Sequence, residues 1–120
     1  MAVRMILAWM MLAIAWLAPG DELQAQVVDY LRDVKPLLEH KCYACHGALK
    51  QQAGLRLDTG LAILKGGESG RSVIPGNPDD SLLIQVLTGD AGFQMPPANE
   101  GSPLNNQELR LLRQWIADGA

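Results

Sequence analysis

The sequence contains few of the side chains that bind metals or act as catalytic bases. Its 120 residues include only two cysteines and two histidines, and all four lie between His40 and His46. A structural zinc site needs four ligands in a tetrahedron, and four ligands crowded into one short helical segment cannot form it. Both histidines belong to this cluster, so no Ser/His/Asp arrangement remains for a hydrolase.

A strong net charge is also absent. The formal net charge of the chain is −3, which is too mild to indicate a nucleic-acid-binding protein or a protein that binds anionic membrane surfaces. Hydrophobic residues make up 48% of the chain and charged residues 19%. This composition is typical of one globular domain and excludes a disordered chain.

The N-terminus lacks an apolar run long enough for a comfortable membrane span. An arginine precedes the uninterrupted apolar run of residues 5–18, which is shorter than the roughly 20 residues of a spanning helix. Pro19 then breaks the run, and Ala25 ends a cleavage-site pattern. We predict a signal peptide over residues 1–25 and an exported domain over residues 26–120. The alternatives are an uncleaved membrane anchor and a buried N-terminal helix.

Three of these four cysteine and histidine residues, Cys42, Cys45 and His46, form the pattern Cys-x-x-Cys-His. In an oxidising, exported compartment such a cysteine pair forms a disulfide, a metal site or a covalent attachment point. A thioredoxin-like dithiol would lie in a βαβ pattern, and none surrounds Cys42. Attachment of a c-type haem gives each of the three fixed residues of the motif a role, because the two thiols bond the vinyl groups of the haem and the imidazole binds its iron. We predict one covalently bound haem c.

Only one methionine follows the predicted signal peptide, Met95, in the loop of residues 89–103. Two prolines directly after it stiffen the loop, so its thioether is a poor core filler and a good fixed ligand. We predict Met95 as the sixth ligand of the iron, with water or an open position as the alternative. His40 precedes His46 on the same helical approach and can hardly reach the opposite face, so we expect a solvated side chain.

Hydrophobic spacing predicts a first helix within residues 27–45, because apolar residues recur there at intervals of three and four. Pro36 either kinks this helix or lies in the first turn of a helix that begins near Asp33. Residues 47–76 are rich in glycine and predict a loop around a site, with a short helix at residues 59–65. The apolar stripe of the first helix consists of Val27, Leu31, Val34, Leu37 and Leu38.

Two further helices follow this loop. Asn77 is predicted to cap a helix that extends to about Leu87, with Asp79 and Asp80 in its first turn. A capping box and a hydrophobic staple predict the start of the last helix, and Gly119 marks its end. We expect the apolar face of the last helix to pack against Leu31, Val34 and Leu38 of the first. The cap is formed by Asn105 and Glu108, the staple by Leu104 and Leu109, and the apolar face by Leu109, Leu112, Trp115 and Ile116.

A glycine-rich segment, GGESGR, occupies residues 66–71. It lacks the spacing of a phosphate-binding P-loop and the Lys-Ser/Thr pair that ends one. We predict a turn near the haem, with Arg71 or Lys65 either a partner of a haem propionate or solvated.

Five runs in this order resemble the Planctomycete-type cytochrome c domain, which is related to the class I cytochromes c. The resemblance covers essentially residues 27–120. It implies that Cys42 and Cys45 bind haem c, that His46 is the proximal ligand and that Met95 is the distal one. It also implies a helical fold whose first and last helices cross beside the haem. The runs are VDYLRDVKPLLEHKCYACHG, GLRLDTG, GGESGRSVIPGNPDDSLL, MPP and LNNQELRLLRQWIADGA.

The expected protein is therefore an all-α, class I cytochrome c-like domain whose helices and loops wrap around one covalently bound haem. Its expected function is one-electron transfer in the periplasm or cell envelope, as a carrier and not as an enzyme. The resemblance implies a redox partner protein or a fused enzyme domain, since relatives usually carry this domain at the front of larger exported proteins. We expect no nucleic-acid partner, and membrane contact only if the leader is uncleaved.

Two other functions fit the same residues. One is a haem-based module that binds or senses a gas, in which the bond from Met95 is weak. The other is an exported interaction domain without haem, in which Cys42 and Cys45 form a disulfide.

Overall fold

The computed structural model describes residues 26–120, in which four α-helices are joined by loops and no β-strand occurs. The all-α class is confirmed for this part of the chain. The predicted signal peptide lies outside the described residues, and none of the described helices is long and apolar enough to cross a membrane. A π-helical turn, Tyr30–Val34, precedes the first α-helix, and a 3-10 turn occupies Gln52–Gly54. The helices are α1 (Lys35–Lys41), α2 (Gly60–Lys65), α3 (Leu82–Thr88) and α4 (Asn106–Ala117).

The first helical segment begins with the π-helical turn, which is capped by Asp29. The carboxylate of Asp29 accepts a hydrogen bond from the backbone N–H of Arg32 at 2.7 Å. Pro36 lies in the first turn of α1, as the second of the two alternatives for the first helix predicted. Proline has no N–H to continue the wider π-helical ladder, and the change to α-helix occurs at Lys35, directly before it.

The predicted stripe of the first helix is wrong at its N-terminal end. Val27 and Leu31 are 76% and 68% exposed, whereas Val34 and Leu38 are fully buried. A π-helical turn contains more residues than an α-helical turn and rotates the preceding side chains relative to those that follow. Tyr30 therefore occupies the place expected for Leu31, and its ring stacks on Trp115 with centroids 5.7 Å apart.

The core lies between the first helical segment, α3 and α4. Residues of the glycine-rich segment 47–76 also reach it, through two loop residues and one residue of α2. Helix α2 begins where predicted, because the Thr59 hydroxyl caps it and accepts a hydrogen bond from the N–H of Ala62 at 3.2 Å. The buried core consists of Val34, Leu38, Leu57, Ile63, Val73, Leu83, Ile84, Leu87, Leu112, Trp115 and Ile116.

The cap predicted for α3 is wrong, because α3 begins at Leu82 and has no acidic residue in its first turn. Asn77 closes a separate turn before the helix, in which its side-chain oxygen Oδ1 accepts from the N–H of Asp80 at 3.3 Å. Asp79 forms an ion pair with Arg113 of α4. Asp79, which the sequence pattern placed in the first turn of α3, thus forms a tertiary contact with α4 instead.

Ser81, directly before α3, forms hydrogen bonds to the segment of residues 74–77. Its hydroxyl is buried, donates to the carbonyl of Asn77 at 2.8 Å and accepts from the N–H of Ile74 at 2.9 Å. These bonds satisfy backbone groups that would otherwise be buried without partners. The start of α3 therefore depends on a buried serine and not on Asn77.

Both ends of α4 agree with the sequence. Asn105 and Glu108 form the predicted capping box, with each side chain accepting from the other's backbone N–H. At the other end, the N–H of Gly119 donates to Ile116 and the N–H of Ala120 donates to Trp115, both at 3.0 Å. This pair of bonds is a Schellman motif, which needs a left-handed residue at Gly119, where φ is 112°.

We expect Trp115→Ala to lower the free energy of unfolding by about 3–5 kcal/mol, as is typical of a buried large-to-small change. Leu31→Ala is the control, because Leu31 is exposed and its loss should change the value by only about 0.5 kcal/mol. Urea unfolding of the two variants and the parent protein measures the difference. Equal midpoints for Trp115→Ala and Leu31→Ala would contradict the packing described above.

Candidate haem site

The Cys-x-x-Cys-His motif forms a turn that continues from the end of α1. The N–H of Cys42 donates to the carbonyl of Leu38 at 2.8 Å. The carbonyl of Cys42 then accepts from Cys45 at 3.2 Å and from His46 at 2.9 Å. Both thiols are partly buried and neither is in a disulfide. One helical turn therefore presents the two thiols and the imidazole together.

Backbone bonds on both sides hold the histidine of this motif. The carbonyl of His46 accepts from the N–H of Leu57 at 2.9 Å, and the carbonyl of Cys45 accepts from Gln52 at 3.0 Å. Gly47 is buried at the crossing point, where an added Cβ would lie 2.5 Å from the carbonyl oxygen of Tyr43. The site needs glycine at residue 47 because two backbone segments approach closely.

Met95 is held by α3, and not by the turn that carries the Cys-x-x-Cys-His motif. Its N–H donates to the carbonyl of Val86 at 2.8 Å, and its side chain is partly buried against the core. The neighbouring Gln94 donates from its side chain to the carbonyl of Leu87 at 3.3 Å. These bonds attach the loop of residues 89–103 to the last turn of α3.

Two adjoining cavities, which we call the ligand cavity, lie between these elements. The cysteine end, which includes Cys42 and Cys45, contains about 620 Å³ of empty space that is partly open to solvent. The turn end, which includes residues of the glycine-rich turn 67–70, contains about 540 Å³ of such space. Both ends are lined by His46, Leu55, Leu83, Val86 and Met95.

The structure therefore brings all four predicted site residues to one space. His40 is exposed on α1 and lines neither end of the ligand cavity. The walls contributed by α3 were not predicted. Leu83 and Val86 are three residues apart on a helix, and this spacing also fits an ordinary core face.

The residues of the ligand cavity fit a haem c. The walls are almost entirely apolar, as the porphyrin ring requires, and the two thiols lie at one end. Nδ1 of His46 is buried and has no hydrogen-bond partner among the described residues. No cluster of three or more His, Cys, Asp or Glu side chains in residues 26–120 could hold a bare metal ion.

Burial raises the pKa of the Cys42 thiol to about 11, and the charge of Lys41 opposes this shift only in part. Reactive cysteines have lowered pKa values and lie in electropositive, partly exposed surroundings. The thiol of Cys42 is therefore protonated at neutral pH and is a weak nucleophile. This environment differs from that of a thioredoxin-like dithiol.

Comparison with protein families agrees with this geometry. Residues 42–99 match the model of the Planctomycete cytochrome C family. Residues 42–99 therefore have the sequence pattern of a Planctomycete-type cytochrome c domain. The matched segment of this cytochrome domain begins at the first cysteine and ends shortly after Met95, so it includes all four predicted site residues. The searches of curated proteins and of solved structures found no match. A cytochrome c domain implies haem c and electron transfer.

We expect Gly47→Ala to destabilise the protein by about 1–3 kcal/mol, because the added methyl group meets a backbone oxygen that cannot move freely. Gly60→Ala is the matched control, since an added Cβ there has no neighbour within 4 Å. The control should leave stability unchanged or raise it by up to about 1 kcal/mol. Thermal unfolding of both variants measures this, and a Gly47→Ala variant as stable as Gly60→Ala would contradict the close approach.

Proposed function

We propose that this cytochrome domain is exported and transfers one electron at a time through a single haem c. Cys42 and Cys45 would attach the haem, and His46 and Met95 would be the axial ligands. The observation that carries the proposal is that His46 and Met95 line both ends of one apolar cavity, with both thiols at one end.

When bound, the haem would supply an iron that changes between the ferrous and ferric states. His46 and Met95, which would bind the haem iron, are held by different parts of the chain. His46 lies on the turn that continues α1, and its carbonyl is tied to Leu57. Met95 is tied to α3 through Val86. Because neither ligand depends on a free loop end, little has to move when an electron enters or leaves.

A third opening lies beside the cysteine end and is lined by Cys45, His46 and Met95 together with polar residues. We propose that the electron passes here to a redox partner protein or to an enzyme domain of the same protein. The polar residues at this opening carry charges of both signs, which favours a transient contact. They are Lys50, Gln52, Asn99 and Glu100.

The attachment is tested by denaturing the protein after expression with a c-type maturation system. Two thioether bonds should keep the haem on the polypeptide through acid-acetone extraction, and the intact mass should include one haem. Cys42→Ser and Cys45→Ser should each leave one bond, and the double variant should lose the haem. A wild-type polypeptide with a Cys42–Cys45 disulfide and no haem would show an interaction domain instead.

The axial methionine is tested by Met95→Ala. A thioether favours ferrous iron and raises the reduction potential, so the variant should have a lower potential and should lose the weak near-infrared band of iron–thioether bonding. Phe93→Ala is the control, because Phe93 lines the cavity from the same loop and has no ligand atom. Spectroelectrochemistry of both variants decides whether Met95 binds the iron.

Carbon monoxide separates an electron carrier from a gas sensor. The reduced wild-type protein should bind the gas poorly, because a stable bond from Met95 fills the sixth position, and Met95→Ala should bind it readily. Ready binding by the wild type at neutral pH would favour the sensor.

A further inference from the structure

The turn end of the ligand cavity lies away from the cysteines. In a haem, the vinyl groups and the propionates occupy opposite edges of the porphyrin ring. The thiols that would bond the vinyl groups line the cysteine end, whereas Gly67, Ser69 and Gly70 line the turn end. If the haem is held as proposed above, its propionates therefore extend toward the turn of residues 67–70.

No lysine or arginine side chain lines this end of the cavity in the described part of the chain. Lys41 lines the cysteine end, and Lys65 lines a separate space with Arg56. The guanidinium of Arg56 is already paired with Asp58 at 2.7 Å. Arg71 is exposed and lines neither end of the ligand cavity. The usual cationic partners of a carboxylate are therefore placed elsewhere.

The turn of residues 67–70 has a defined geometry before any ligand binds. Gly67 and Gly70 exchange two backbone hydrogen bonds of 3.0 Å, and Glu68 donates to the carbonyl of Ala53 at 2.9 Å. A Cβ on Gly67 would lie 2.7 Å from that same carbonyl oxygen, so the turn is pressed against the 3-10 turn. Such contacts fix the position of the turn in advance, so that a ligand would bind there without the entropy cost of ordering the loop.

Ser69 is the polar residue of this turn with free donors. Ser69 is exposed, and neither its hydroxyl nor its backbone N–H has a hydrogen-bond partner within residues 26–120. The other serine at this end, Ser72, is buried and donates its hydroxyl to the carbonyl of Ile63 at 2.5 Å. Of the two serine hydroxyls that line the turn end, only that of Ser69 is therefore free to donate to a carboxylate.

We propose that Ser69 binds a haem propionate through its hydroxyl and backbone N–H, in the place where a basic side chain could act. This inference rests on the proposed function. Hydrogen bonds from neutral donors would orient the carboxylate without cancelling its charge. The two exposed charged residues flanking this site, Glu68 and Arg71, are not needed for it.

The test compares variants of the haem-bearing protein by resonance Raman spectroscopy, in which the propionate bending mode responds to hydrogen bonding. Ser69→Ala should shift this mode, and Ser69→Thr, which keeps the hydroxyl, should restore it. Ser102→Ala is the matched control, because Ser102 is exposed and lines neither end of the ligand cavity. Arg71→Gln should leave the mode unchanged.

Two outcomes overturn the inference alone. In one, the mode shifts in Arg71→Gln and not in Ser69→Ala, which would show that the exposed guanidinium folds over the propionate. In the other, the mode is the same in all variants, which would show that the propionates face solvent. A wild-type protein without attached haem overturns the proposed function as well, and the extraction experiment detects that case separately.

Discussion

The packing of α3 is the interaction on which the rest of this structure depends. The helix has seven residues, and four of them are buried. A helix of two turns is unstable alone in water, so its tertiary contacts keep it folded. Ile84 packs in the core, Val86 lines the ligand cavity, and Leu83 and Leu87 do both. The same helix also anchors Met95 through the carbonyl of Val86.

Close backbone approaches give the cavity its other boundaries. Gly47 allows the segment after His46 to cross Tyr43, and Gly67 allows the turn of residues 67–70 to press on Ala53. At Gly66, where φ is 76°, an added Cβ would lie 2.0 Å from the carbonyl of Gly70. At these glycines two backbone segments approach so closely that a side chain would not fit between them. The loop-rich segment thereby holds a defined shape around the ligand cavity.

Features that depend on neighbouring residues were predictable from the sequence. The capping box and the Schellman motif of α4 use donors and acceptors within a few residues, so their pattern is visible in the chain. The same holds for Thr59 before α2 and for the Cys-x-x-Cys-His spacing. The first helix and α3 were predicted less well. In the π-helical turn Leu31 is exposed and Tyr30 is partly buried against the core. Asp79, which local rules placed in the first turn of α3, forms an ion pair with Arg113 instead.

The sequence by itself determined which groups are available: two thiols and an imidazole at a spacing suited to haem c, and one methionine in a proline-stiffened loop. Only the tertiary structure decided that these groups share one apolar space, because α3 joins the methionine loop to the cavity wall. It also decided that Ser69, and neither Arg71 nor Lys65, lies at the turn end. Local spacing specifies chemistry and short-range bonds, whereas the placement of residues fifty positions apart depends on how buried side chains pack.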